Sequence, residues 1–337
     1  FNLLMKASEG GCGEASFLLG LIYEEGREIE LNLREAVRFY RLGSEQGCFD
    51  AMQRLAGFYD EGTEVEQNKT EGKRLLRKIS EKVMEQSNEI KWEEDGDLDW
   101  GFDERIGRLI IKAKVLLEDK TCKMKECINW NDIPWRKRHR AQIKSVVVCY
   151  GVSSIGKYAF SGCEKLKSVV LPNSIVSIGR SAFSECTALK SITIPDSVKE
   201  IRSEAFFKCT ALTSITIPGS VATLGTNLFV QCPRLSMIRV GGEEANFRVI
   251  EDVLFDKEMT RLIWYPPEKS GRYEIPHKVI TIDSKVFCSC ERLTDVAIPD
   301  SITEIGSFAF RYCSGLETVS IPDSVTSIGS HAFAGCR

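Results

Sequence analysis

Histidine is nearly absent: the chain has three in 337 residues. That leaves little room for imidazole catalysis or a histidine-built metal site. No run of 18 apolar residues occurs, so no segment reads as a membrane-spanning helix. An excess of one charge is also missing. Lys and Arg number 45 against 48 Asp and Glu, for a net charge of −3. That argues against a general binder of nucleic acid or anionic membrane, whose affinity comes from basic charge. No glycine-rich phosphate loop, nucleophile elbow or His–Glu zinc helix occurs, and no Ser/His/Asp set can be assembled from spacing. An enzyme is therefore not expected, and no catalytic, cofactor or metal site is assigned. What is present is 43% hydrophobic and 28% charged residues, the composition of a folded chain. The length suits two or three domains. Residue 1 is Phe, and the last residues stop inside a recurring pattern, so the sequence reads as a piece of a longer protein.

Thirteen cysteines stand against these absences. Cys163, Cys186, Cys209 and Cys232 are 23 residues apart, as are Cys290, Cys313 and Cys336. Such spacing belongs to a repeat rather than to a disulfide framework. A residue that recurs once per coil stacks on its own copies, and free Cys behaves there as a small buried hydrophobe. The copies are explicit: 155–177 is IGKYAFSGCEKLKSVVLPNSIVS and 178–200 is IGRSAFSECTALKSITIPDSVKE, and 201–223, 224–246, 282–304, 305–327 and a partial 328–337 follow. The Leu-x-x-Val-x-Ile core predicts a strand with alternate residues inward. The following proline cannot donate to a ladder and ends it. The Ile-Gly…Ala-Phe half packs the opposite wall, with Gly expected to permit a tight turn. One coil cannot bury its own apolar face; stacked coils make a continuous core.

This pattern resembles the BspA-type leucine-rich repeat family over 143–337. The resemblance implies an N-terminal cap at 98–142. Within it, Leu98-Asp99-Trp100-Gly101-Phe102-Asp103 and Gly107-Arg108-Leu109-Ile110-Ile111 read as a hairpin turning near 104–107, in preference to a helix over 104–118. Asn131-Asp132-Ile133-Pro134-Trp135 reads as the approach to the first coil, and 143–154 as the second half of an incomplete one. Residues 247–281 are an expanded coil, with two strand-like runs about a turn near Asp256 and Lys257. Its Phe255, Trp264, Tyr265 and Tyr273 are either a binding platform or the hairpin's own packing; the packing is favoured.

The first 85 residues follow a different period. Ala15, Leu19, Gly20, Tyr23, Gly26 and Asn32 recur 36 residues later as Ala51, Leu55, Ala56, Tyr59, Gly62 and Asn68. Small residues at Ala15, Gly20 and Ala36 let helices approach closely. Leu19, Tyr23, Phe39 and Tyr40 fill the seam. Gly26 and Gly62 suit helix C-caps, and Asn32 and Asn68 suit N-caps. This is similar to the Sel-one-like branch of the tetratricopeptide-type repeats. Gly72 and the charged run 73–82 depart from that pattern, so the second unit is expected to end the array. Cys12 and Cys48 lie one per repeat, which argues against an intra-repeat disulfide. Residues 86–97 (QSNEIKWEEDGD from Gln86) read as a polar linker, with Trp92 as a possible anchor.

The fold class expected is thus an α+β multidomain repeat protein: an N-terminal α/α solenoid (1–85), a linker (86–97), a cap (98–142) and a β-containing leucine-rich-repeat solenoid (143–337, expanded at 247–281). Cys122 with Cys127, and Cys288 with Cys290, lack the second half of a zinc site. The basic cluster Arg136-Lys137-Arg138-His139-Arg140 is read as a solvated face. What remains is the outward strand face. Ser168, Ser191, Ser214, Met237, Asp295 and Thr318 form one column, and Val170, Thr193, Thr216, Arg239, Ala297 and Ser320 the next. Met237 and Arg239 depart most from the small polar norm. With Trp264 and Tyr265 they make the candidate protein-binding patch. The expected function is a non-catalytic protein–protein interaction scaffold. The alternatives are an exported adhesin, which the first resemblance implies, and a sensor arm of a larger protein.

Overall fold

Five helices precede a long run of short strands. The computed structural model describes residues 1–336 except 27–28, 63, 88, 115–121, 126–129 and 243–244. The helices are α1 (Asn2–Glu9), α2 (Gly13–Glu25), α3 (Leu33–Glu45), α4 (Phe49–Glu61) and α5 (Lys69–Glu85). The expected caps hold. Asn32 and Asn68 side chains accept from the Glu35 and Glu71 amides at 3.1 and 3.0 Å. Gly26 and Gly62 close α2 and α4 in the left-handed region, at φ 64° and 74°. Gly20 is a close approach: a Cβ there would lie 2.4 Å from the Tyr40 ring.

The strands form two walls. On the strand face, Leu98–Asp103 and Arg108–Ala113 make the expected antiparallel hairpin. Parallel pairing then runs through Ser145–Val148 to Ser168–Val170. Residues 86–97 are more than a linker, because Trp92–Asp95 is a strand paired with the hairpin. The Lys112 ammonium lies 4.2 Å above the Trp92 ring. The helix α6 (Pro134–His139) follows in the cap. Its Arg136 is buried rather than solvated, and His139 stacks on Phe102 at 4.3 Å.

The opposite wall shows why the repeat is 23 residues long. Phe160, Phe183, Phe206 and Phe229 stack at 5.3, 5.6 and 5.9 Å, one per coil. The cysteines do not stack on one another alone. The thiols of Cys186, Cys209, Cys232 and Cys313 each donate to the carbonyl of a Phe 26 residues earlier, at 2.9–3.2 Å. Burial pushes the Cys163, Cys232 and Cys313 thiols up to about 12, so thiolate chemistry is suppressed. The repeated serine after the proline has a role that the pattern alone did not suggest. Ser197 and Ser220 donate to carbonyls 22 residues back, at 2.6 and 2.7 Å. The Ile-Gly glycine serves close approach rather than a tight turn. Its φ is not positive at Gly179 or Gly225, where a Cβ would sit 2.7 and 2.1 Å from the backbone of the preceding coil.

Each coil also holds non-glycine residues in the left-handed region. Glu185, Lys208, Gln231, Ser289 and Tyr312 take φ 56–64° where Gly162 and Gly335 stand in other coils. L-residues pay roughly 1–2 kcal/mol there, and Gly loses roughly 0.5–1 kcal/mol to unfolded-chain entropy. Gln231→Gly, at an exposed copy, should therefore stabilise by about 0.5 kcal/mol. Chemical denaturation checks this. A loss of stability would show that the side chain makes contacts outweighing the backbone strain.

The expanded coil contains one hairpin more than expected. Phe247–Ile250 pairs with Val253–Asp256 about Glu251 and Asp252, and Val253–Asp256 then pairs with Arg261–Trp264. The second of these turns is the one expected near Asp256 and Lys257. The coil divides the solenoid core. Leu254 and Trp264 end the first half, and Val253, Phe255 and Tyr265 begin the second.

Candidate functional site

The two arrays are not separate. Strand alternation turns Val146 and Val148 into the coil core and leaves Ile110, Val147, Cys149 and Val170 on the outer strand face. Those outward residues are nonetheless buried, Val170 at 3% exposure and Cys149 at 4%. They share one apolar cluster with Met52 and Leu55 of α4 and Leu75, Leu76, Ile79 and Val83 of α5. The helical array therefore lies across the strand face. The apolar side of α5 seats on the sheet and does not simply end the array.

Polar contacts fix the register of that seat. The Ser168 hydroxyl is 2.7 and 2.9 Å from the two Asp50 carboxylate oxygens of α4. Burial pushes the Asp50 carboxyl above its usual range, against the Ser168 hydrogen bond. Ser80 of α5 accepts from the Tyr150 amide at 3.2 Å, and the Arg108 guanidinium lies over the Phe49 ring at 5.3 Å. Gln53 of α4 reaches furthest. Its amide donates to the Leu171 carbonyl at 2.8 Å and lies 3.5 Å from the Thr193 carbonyl. The strand face is interrupted at that place. Residues 191–195 pair with neither Ser168–Val170 nor Ser214–Ile217, and the sheet resumes where Ser214–Ile217 pairs with Met237–Val240. Gln53 thus supplies side-chain hydrogen bonds where the ladder lapses.

At the far end sits a charged latch. The Glu24 carboxylate of α2 accepts from Tyr40 Oη at 2.5 Å and from Arg54 Nε of α4 at 2.9 Å, with a second contact from Arg54 Nη2. Arg239 of the strand Met237–Val240 donates to the Glu24 carbonyl at 2.9 Å and stands 3.9 Å from its carboxylate. Burial pushes the Glu24 carboxyl up, but Arg54, Tyr40 and Arg239 outweigh it and hold it below the usual range. Among the described residues, the Arg54 and Arg239 guanidinium groups both approach the Glu24 carboxylate there.

The sequence-assigned patch divides between these settings. Arg239 belongs to the latch, and Met237 lines the cleft beside it. Trp264 and Tyr265 are core residues, 6% and 1% exposed. Trp264 meets Phe229 edge-on at 6.2 Å and closes the first phenylalanine stack. Tyr265 opens the second, 4.8 Å from Phe287. Phe255 and Tyr273 are buried with them, so the aromatic platform is the solenoid's own joint. The strand face beyond that joint is uncovered. Arg272 registers with Asp295, and Asp295 with Thr318; Arg272 and Thr318 are exposed, and Arg272 and Asp295 pair at 3.5 Å. Cys127 lies outside the described residues. Among those described, no three His, Cys, Asp or Glu side chains gather as metal ligands, and no helix is long and apolar enough to cross a membrane.

Comparison with known proteins follows the same division. The family described as the BspA type leucine rich repeat region matches residues 138–260 and 269–337 in six copies, and the Sel1 repeat matches 13–48 and 49–82. Among solved structures, a leucine-rich repeat protein from Eubacterium ventriosum is 27% identical with a TM-score of 0.62, over 72% of this chain and 68% of that one. The pneumococcal vaccine antigen PcpA is similar in fold, at 23% identity and a TM-score of 0.53, over 73% of this chain and 79% of that one. A comparison with curated proteins finds no significant match. Both repeat types are usually non-catalytic and serve protein interaction.

Proposed function

The chain belongs to the BspA-type leucine-rich repeat family, and from that premise we propose a non-catalytic scaffold that binds a protein partner through one composite surface. The observation that carries this reading is the seat of the helical array on the first half of the strand face. A seated array braces the solenoid and takes the Val147 and Val170 columns out of contention for a partner. Recognition then falls to the uncovered strand face around Arg272, Asp295 and Thr318. Small, varied side chains on a rigid repeat scaffold suit protein recognition. The Arg272–Asp295 pair is exposed enough to be re-paired across an interface at little desolvation cost.

The test is affinity capture on the full chain, identification of the partner, and binding measurements with Asp295→Arg and Thr318→Arg. Each should weaken binding by more than about 1 kcal/mol while leaving the melting temperature unchanged. Normal binding by both, with loss on changing exposed residues of 1–85, would move recognition to the helical array.

A further inference from the structure

Beside the phenylalanine stacks run two columns of side chains, one three and one seven residues after the residue that opens each coil. In the first half of the solenoid these columns carry matched charges. Glu204 of the first column accepts from Arg180 at 3.2 Å, and Lys208 of the second pairs with Glu185 at 3.2 Å. Beyond the expanded coil the same columns hold no acidic residue. The first reads Lys285, Phe308 and His331, and the second Ser289, Tyr312 and Gly335. The Lys285 ammonium and the Arg311 guanidinium lie 5.8 and 5.2 Å from the centre of the Phe308 ring, which stacks with His331 at 5.2 Å. Arg311 also stands 4.5 Å over the ring of exposed Tyr312 and donates to its hydroxyl at 2.8 Å. A Cβ on Gly335 would lie 2.4 Å from the Tyr312 ring, so that ring is packed against the glycine. Among the described residues, no carboxylate pairs with Lys285 or Arg311.

We propose that this face of the coils after the expansion takes an acidic segment of a protein partner, with Arg311 and Lys285 as its anchors. The proposal rests on the scaffold reading above for the occupant being a protein, and it names a second contact away from the strand face. An aromatic ring attracts a cation through its quadrupole but brings no net charge. The two cations gathered at Phe308 therefore still lack a counter-charge among the described residues, whereas their counterparts before the expansion have one. The rings also hold the guanidinium in place. Its remaining N–H donors are pre-organised for a carboxylate, so little side-chain entropy is lost when one docks. The arrangement favours a charged occupant over a neutral sugar. Phe308 is already contacted by Lys285, Arg311 and His331, and Tyr312 by Arg311 and Gly335, which leaves no open ring platform for stacking. The whole chain has a net charge of −3, so the attraction for an acidic segment is local to this face.

The test uses the full chain and fluorescein-labelled hexaglutamate, with hexaglutamine as its neutral counterpart. Affinities are read by fluorescence anisotropy at about 0.1 M salt, where charges more than about 10 Å apart are screened. Hexaglutamate should bind, and hexaglutamine should bind about tenfold more weakly or worse. The double variant Lys285→Gln, Arg311→Gln should lose about tenfold in affinity for hexaglutamate with an unaltered melting curve. Arg311→Lys keeps the charge without the planar fork and should lose part of that affinity. Arg180→Gln with Lys208→Gln removes the same charge from the first half of the solenoid and should bind hexaglutamate as the parent does. No binding of hexaglutamate, equal binding of hexaglutamine, full affinity in the Lys285, Arg311 variant, or an equal loss in the Arg180, Lys208 variant would each overturn the proposal. Tighter binding of hexagalacturonate, which carries the same number of carboxylates, would assign the face to an acidic polysaccharide and overturn the protein segment. A captured partner that is lost on Thr318→Arg but kept by the Lys285, Arg311 variant would leave the scaffold reading standing and overturn this one.

Discussion

Phe183→Ala is expected to lower unfolding free energy by about 3–5 kcal/mol, the range for truncation of a buried phenylalanine. The ring has no solvent exposure and is sandwiched between Phe160 at 5.3 Å and Phe206 at 5.6 Å. Its loss removes apolar burial, two ring contacts and the support of a cavity wall that neighbouring coils cannot collapse into. Those coils are held by backbone bonds on either side, Phe160 N to Ala182 O and Phe183 N to Ala205 O, both 2.8 Å. Thr193→Ala, on the outer face, should shift stability by less than about 0.5 kcal/mol. Equilibrium denaturation of both variants gives the comparison. Similar costs, or a larger cost at Thr193, would place the strand alternation one residue out of phase.

Glu24→Gln carries the second large effect, a loss of about 3–5 kcal/mol. Removing one member of a buried ion pair strips the other, here Arg54, of the carboxylate it is bonded to, which costs far more than an exposed pair is worth. The effect has a pH signature. The Glu24 carboxyl is held below its ordinary value in the folded chain. Its stabilisation is therefore present above the unfolded pKa and is lost as pH falls through the lower, folded pKa. The variant should lack that part of the acid-side loss. Thermal melts between neutral pH and the carboxylate range measure both. A variant as stable as the parent, with the same acid-side slope, would mean that the latch does not hold α2 to the solenoid.

The repeats were legible because each one states its own packing. The 23-residue recurrence of Phe, Cys, Leu and Ile repeats one coil's interior, and the 36-residue recurrence of Ala15, Gly20, Gly26 and Asn32 repeats one helical hairpin. The expanded coil was legible as strands and a turn, but the extra hairpin about Glu251 and Asp252 carries no Gly or Pro to announce it. The seat between the arrays was missed. It joins residues as far apart as Asp50 and Ser168, with no period to report it. One signal was present. Ile110, Val147 and Val170 occupy successive positions in an outward column where Thr193 and Thr216 follow. Three aliphatics in register on a solvated face call for a cover, and α4 and α5 supply it. Met237 and Arg239 stand out in the sequence because they break a polar column, and Arg239 breaks it where it reaches Glu24. Trp264 and Tyr265 misled because an aromatic pair in an irregular segment looks the same in sequence whether it faces solvent or bridges two stacks.

The helical array covers the first half of the strand face, and Cys149 reports on that cover directly. The ladder cysteines, Cys163 and Cys186 among them, are shielded by the coil core whether or not the array is seated. Cys149 points out of the sheet, and its neighbours in the cover are Ser80 and the apolar side of α5. Burial pushes its thiol up to about 11. Native thiol labelling of the full chain, mapped by mass spectrometry, should modify exposed Cys12 quickly and leave Cys149 as protected as Cys186 until denaturant is added. Labelling of Cys149 in the native chain at a rate near that of Cys12, with Cys186 still protected, would contradict the seated array.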